Sequence, residues 1–185
     1  MNDSLLSSRS MVRIHQGASS RQQPVPMHQL LHTHATSEAL APYGQLVEPL
    51  PNGADFGAGD AELKLDGGKP RFWVMAVEHR EPKVTVLARH SLCSQCLASA
   101  DGKPWWIVLA PPQPELAPPD SAVIRLFRIE PGVILKLHVG TWHAGPYFPE
   151  ARATFFLLEL KDTNSRDFTE VALPEPLHFA FAPAA

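Results

Sequence analysis

Residues suited to proton transfer and anion binding gather in two short stretches of this chain. One is Arg89-His90-Ser-Leu-Cys-Ser-Gln95; the other is Gly132-Val-Ile-Leu-Lys136-Leu-His138-Val-Gly140-Thr-Trp142-His143. An imidazole takes or gives a proton near neutral pH without large tuning, which makes His90, His138 and His143 candidate acid and base groups. Arg89 and Lys136 add cations, one a planar fork and one a point charge, and either can hold an oxyanion. In the second stretch Val133, Leu135 and Leu137 alternate with Ile134, Lys136 and His138, the pattern of a strand with Lys136 and His138 on one face. Gly140 then breaks the run, so His143 is delivered from beyond a turn. The pattern alone leaves two orientations open. Lys136 faces inward while Leu135 and Leu137 pack on a second sheet or a partner subunit, or it faces solvent.

The other segments must position these groups. Thr36-Ser-Glu38-Ala-Leu40 has the composition of a brief helix ended by Pro42, and Tyr43-Gly44-Gln-Leu-Val47 reads as a turn into a strand. Further strands are expected over 71–77, beginning at Arg71, and over 83–89, 122–128, 154–160 and 170–173. Residues 92–100 and 104–110 read as a hairpin about Asp101-Gly102. Between 51 and 69 lies a Gly/Asp/Asn-rich connection with one apolar alternation, Ala61 to Leu65, and a hairpin-grade turn at Asp66-Gly67-Gly68. A proline-rich loop follows at 111–119. With 19 prolines and 11 glycines, punctuation favours short strands over long helices, hence an all-β sandwich or barrel.

A chain of 185 residues has room for one domain with a proper core, expected here over 27–185. Residues 1–26 are rich in Ser, Arg and Gln without an amphipathic period and are expected to be disordered. They read either as a transit leader or as sequence ahead of a true start at Met27, since Met11-Val-Arg-Ile14 matches a translated transfer-RNA T-loop. Net charge is -3, with no basic cluster interleaved with aromatics, which argues against a nucleic-acid partner. No apolar run approaches the roughly 20 residues of a bilayer span, so no membrane partner is expected and the cytosol is the default compartment. The only cysteines, Cys93 and Cys96, cannot build a disulfide framework. Three apart on a strand, they would point to opposite faces, and no second pair is present to complete a zinc site.

The two stretches resemble the paired signature motifs of the cupin superfamily. The first such motif has a His-x-His pair, a carboxylate four or five positions later and a spacer to Gly; the second has Gly, five residues, Pro-x-Gly, two residues and His. Here His90 and His143 keep their places, Ala88 stands for the first His, Gln95 for the carboxylate, and His138 for the proline. The resemblance implies a cupin double-stranded β-helix, a jelly-roll barrel, with one or two short helices. Tyr43-Gly44-Gln-Leu-Val, Ala88-Arg89-His90 with Gln95, and Gly132-Val leading to His138 and Trp142-His143 are similar to the ureidoglycolate lyase family within the cupins. The run Lys136-Leu-His-Val-Gly-Thr-Trp-His-Ala-Gly-Pro is more like its plant and cyanobacterial branch.

That resemblance implies breakdown of ureidoglycolate to glyoxylate and urea in purine and allantoin degradation. The hemiaminal needs a base for its hydroxyl proton, an acid for the departing nitrogen and a cation for its carboxylate. His90, His138 and His143 supply the first two, with Lys136 at the carboxylate or the developing oxyanion. Arg89 becomes the carboxylate fork, and Gln95, Trp142, Tyr43 and Arg71 complete the expected substrate contacts. A divalent metal such as nickel, if bound, would sit on His90, Gln95 and His143, though two imidazoles and a neutral amide form a weak set. The reading without metal, in which these groups only hydrogen-bond in the pocket, stands beside it. A homodimer is expected. Two other functions stay open: a non-catalytic cupin binding a small carboxylate or sugar, and a metal-dependent cupin oxygenase or isomerase.

Overall fold

The computed structural model describes residues 28–181, so the expected leader over 1–26 and the start at Met27 lie outside the described residues. Twelve strands are joined by two short α-helices and one 3-10 turn, Ser121–Val123. In chain order they are β1 (His28–Gln29), β2 (His32–His34), α1 (Ser37–Leu40), β3 (Gly44–Val47), β4 (Pro70–Glu78), β5 (Lys83–Arg89) and β6 (Gln95–Ser99). Then follow β7 (Trp105–Ala110), β8 (Arg125–Ile129), β9 (Ile134–Leu137), β10 (Trp142–Tyr147), β11 (Arg152–Leu160), α2 (Thr163–Arg166) and β12 (Thr169–His178). They form a seven-stranded sheet ordered β1-β12-β5-β10-β7-β8-β2 and a five-stranded sheet ordered β3-β9-β6-β11-β4. The expected all-β double sheet is thus the observed architecture.

Strand alternation decides which side chains meet between the sheets. Trp105, Ile107 and Leu109 of β7 join Leu97 of β6, Leu135 and Leu137 of β9, and Phe155 and Leu157 of β11 in one core cluster. Fully burying each such side chain stabilises by about 1.5–3 kcal/mol. The intervening Trp106, Val108 and Ala110 point to the far face of the seven-stranded sheet, where they pack with Trp142, Tyr147, Leu177 and Phe179 in a second cluster. Both faces of β7 are therefore buried, which is why it reads as a continuous apolar run.

One expectation is corrected. The segments 92–100 and 104–110 do not form a hairpin, because β6 pairs with β9 and β11 while β7 pairs with β8 and β10. The Asp101 turn instead crosses between the sheets. Its carboxylate accepts from the Thr154 amide at 2.6 Å and the Thr154 hydroxyl at 2.5 Å, tying the corner to β11. The connection over 51–69 is coil as expected, and its apolar alternation Ala61 to Leu65 runs beside Lys136 and Ser94.

Candidate active site

His143 enters the space between the sheets because Trp142, its neighbour on β10, is committed to the far face with no exposed surface. The register places His143 beside Leu109 of the inner core on one side and Ala88 of β5 on the other. His90 leaves the end of β5, and its carbonyl accepts the Gly140 amide at 2.6 Å. Gly140 has φ +83, a conformation open to glycine and strained for other residues, and this turn brings β10 back toward His90. The two rings lie 5.5 Å apart between centroids, inclined at 30°.

Backbone carbonyls set the tautomers of both imidazoles. His90 Nδ1 lies 2.8 Å from the Asp167 carbonyl oxygen and His143 Nδ1 lies 3.2 Å from that of Thr141. A carbonyl only accepts, so each Nδ1 carries the hydrogen and each Nε2 keeps a free lone pair. Burial, then the neighbouring His90, push the His143 pKa down to about 4 against a smaller opposing effect of the Thr141 carbonyl. His143 is half-buried as a residue and lines an open groove, so it is a neutral base at a pocket edge.

Gln95 completes the group from β6. Its Nε2 donates to Glu159 Oε2 at 2.8 Å, which turns Oε1 away from that carboxylate as an acceptor. Glu159, 1% exposed, also accepts from Trp73 Nε1 at 3.1 Å, and the Arg71 guanidinium lies 3.8 Å above the Trp73 ring. Arg71 is exposed and connects to Gln95 only through Trp73 and Glu159. His90, Cys93, Gln95, Leu137, His138, Thr141 and His143 line a cleft too tight for a water molecule. His143 also lines a larger groove of about 340 Å³, open to solvent, with Arg80, Lys83, Thr85, Phe168 and Glu170.

The remaining expected residues stand elsewhere. Arg89 is buried on the far face, its guanidinium 4.4 Å above Trp142 and its Nη1 donating to the Gln113 carbonyl at 2.5 Å. Trp142 lies beneath it, so neither reaches the cleft. Lys136 takes the face opposite Leu135 and Leu137, which belong to the core. It is 4% exposed and borders a separate depression with Glu62, Lys64 and Ser94. Burial pulls the Lys136 pKa down, with Glu62 and then Cys96 opposing.

His138 touches both regions but has no free ring nitrogen: its Nδ1 accepts from Lys136 Nζ at 3.2 Å, and its Nε2 donates to the Ala41 carbonyl at 3.1 Å. The Tyr43 hydroxyl points away, to the Val123 carbonyl at 3.3 Å, and its ring meets Phe127 edge-on. Tyr43 contributes through its backbone instead, its carbonyl accepting from the His138 amide at 3.0 Å and the Thr141 hydroxyl at 2.7 Å. Gly44 follows because a Cβ there would come within 2.0 Å of the Lys136 carbonyl oxygen.

Glu159, Asp167, Thr163, Arg80 and Lys83 were missed at the sequence level. Glu159, Thr163 and Asp167 follow the second stretch by 16 residues or more, and Arg80 and Lys83 are surface-type cations just ahead of the first, so no spacing tied any of them to the histidines. Among the described residues, no group of three or more His, Cys, Asp or Glu is arranged to hold a metal ion. The nearest approach is the trio His90, Gln95 and His143, whose lone pairs are the two Nε2 atoms and Oε1.

A family model described as ureidoglycolate lyase matches residues 27–180. Ureidoglycolate lyases of Pseudomonas putida (strain W619) and Pseudomonas entomophila (strain L48) are each 29% identical over 152 residues, covering 72% of this chain and 85% of theirs. Among solved structures, a mutant oxalate decarboxylase of Bacillus subtilis aligns at 11% identity with a TM-score of 0.38, over 57% of this chain and 24% of that one. The oxalate decarboxylase formate complex of Lactobacillus farciminis aligns at 8% identity and 0.36, over 57% and 27%. This chain spans about a quarter of the length of those two structures.

Proposed function

This chain belongs to the ureidoglycolate lyase family, and on that premise we propose that it splits ureidoglycolate into glyoxylate and urea. The observation that carries the reading is the meeting of His90 Nε2, His143 Nε2 and Gln95 Oε1, three acceptors of fixed orientation beside an open groove. Ureidoglycolate presents the matching donors, a hydroxyl and the ureido N–H groups. The substrate lies in the groove against His143, with its ureido end turned to the mouth of the narrow cleft where His90 and Gln95 stand. The Arg80 and Lys83 cations on the groove wall draw its carboxylate in.

The reaction breaks one C–N bond. His143 Nε2 takes the hydroxyl proton as the carbonyl of glyoxylate forms, and the C–N electron pair leaves with the urea nitrogen. Burial makes the His143 imidazolium a strong acid, and it returns the proton to that nitrogen, so protons balance over the cycle. His90 and Gln95 hold the remaining donors. A divalent ion such as nickel, when bound, would be held by His90, Gln95 and His143 and would polarise the hydroxyl oxygen. Three neutral donors suit such an ion only weakly.

The chain is read as working in purine and allantoin breakdown, in the cytosol, as a relative of the plant and cyanobacterial branch. It is also read as a homodimer. Phe72, Val74 and Phe156, respectively 71%, 54% and 43% exposed, share the outer face of edge strand β4 and its neighbour β11, with the Phe72 and Phe156 rings stacked 6.1 Å apart. No helix among the described residues is long and apolar enough to cross a membrane.

The deciding assay is glyoxylate release from ureidoglycolate by the purified chain, with and without nickel. Turnover above the spontaneous rate is expected. No release above that rate overturns the lyase reading and leaves a binding cupin.

A further inference from the structure

Asp167 ends α2 and is 8% exposed, although its chain position beyond Arg166 gave no reason to bury a carboxylate. Both carboxylate oxygens are used on one short loop: Oδ1 accepts from the Ser91 amide at 2.7 Å and Oδ2 from the Leu92 amide at 2.6 Å. These are the two residues that follow His90. The carbonyl of the same Asp167 accepts the His90 Nδ1 hydrogen at 2.8 Å. Thr163 Oγ1, at the start of α2, lies 3.1 Å from the same nitrogen and 3.3 Å from Cys93 Sγ. His90 is held from the other side as well, its carbonyl bound to the Gly140 amide.

We propose that Asp167 is a positioning residue for His90, clamping the 91–92 loop with its carboxylate and fixing the His90 tautomer with its carbonyl so that Nε2 presents a lone pair to the cleft. The two functions depend on each other. The carboxylate fixes where the Asp167 backbone stands relative to β5, and only there does its carbonyl meet Nδ1. Hydrogen bonds to a charged acceptor are stronger than neutral ones, which suits a clamp of two short contacts. Supporting groups behind a working imidazole commonly change activity by about 10–100-fold when removed. The kinetic part rests on the lyase reading; the tautomer does not.

The test uses the full chain labelled with ¹⁵N-histidine, with the His90 signals assigned by their loss in His90→Gln. Long-range ¹H–¹⁵N correlation is expected to show His90 protonated at Nδ1 in the wild type. In Asp167→Asn the side chain can accept only one of the two amides. The His90 signals are then expected to shift toward a mixture of tautomers, and kcat to fall about 10–100-fold with KM changed less than about threefold. A purely structural Asp167 would lower the melting temperature and leave the tautomer alone. An Nε2-protonated His90 in the wild type, or unchanged signals in a folded Asp167→Asn, overturns the proposal. Should that variant not fold, the wild-type tautomer still decides. A wild type without lyase activity would sink the functional reading while leaving the tautomer result to stand by itself.

Discussion

His90 and His143 face each other across 5.5 Å with each Nδ1 anchored on a main-chain carbonyl, so both rings offer the same nitrogen, Nε2, to a ligand. They arrive from different strands, one at the end of β5 and one near the start of β10, and neither ring is paired with a carboxylate. General acid–base groups contribute about 10²–10⁴-fold to rate. His143→Ala is therefore expected to lower kcat by at least about 100-fold, and His90→Ala by a smaller factor, because His143 alone lines the open groove. Steady-state kinetics on both variants checks this. A larger loss at His90 would reverse the assigned roles.

Protonation of His143 should be visible in stability. Its folded pKa, about 4, lies below the value near 6.5 of an unfolded chain. Between those two values the unfolded state binds more protons than the folded state. Stability from this group is complete above about pH 6.5, falls as pH drops toward 4, and levels off below that. Melting temperatures measured across this window in metal-free buffer should decline more steeply for the wild type than for His143→Leu. Parallel curves would mean that the folded ring titrates normally.

Arg89 is expected to matter for folding and not for substrate. Arg89→Ala removes the guanidinium from Trp142 and leaves the Gln113 carbonyl without its donor. A stability loss of about 1–3 kcal/mol by chemical denaturation is expected, with KM changed less than about twofold. A tenfold rise in KM without loss of stability would restore Arg89 to the substrate.

The placement of Arg89 on the far face was not legible in its strand. Strand β5 is legible as a strand, but Val84 and Leu87, three apart, both pack on the far face while Thr85 and Val86 between them are exposed. That break in alternation carries Arg89 to the far side with Leu87, and no residue in Lys-Val-Thr-Val-Leu-Ala-Arg announces it. Alternation correctly grouped Lys136 with His138 against Leu135 and Leu137. It could not say which set meets the second sheet, because Lys136 is buried on its own face as fully as Leu135 and Leu137 are on theirs. Strand β10 escaped notice because Gly145 and Pro146 interrupt its pattern, and its register shifts between Ala144 and Tyr147. Motif spacing was the more durable signal: His90, Gln95 and His143 line one cleft although they come from β5, β6 and β10. The supports behind them, Glu159 and Asp167, are single acids in ordinary contexts and become visible only through their partners.

Glu159 offers the sharpest handle on Gln95. Its carboxylate accepts from both Gln95 Nε2 and Trp73 Nε1, and the indole can only donate. In Glu159→Gln the new amide must give its oxygen to Trp73 and so turns an N–H toward Gln95. Gln95 then rotates its own amide, spending Oε1 on that contact and facing the cleft with N–H groups. An acceptor becomes a donor without any change in shape. Losing one hydrogen bond and facing donor with donor costs about 1–2 kcal/mol, so KM for ureidoglycolate should rise about 5–30-fold. The melting temperature should fall far less than in Glu159→Ala, which strands both buried donors. The paired Gln95→Glu change should not rescue Glu159→Gln if Oε1 acts as a neutral acceptor. Unchanged KM in Glu159→Gln would remove Gln95 from the substrate site and leave the two imidazoles to act alone.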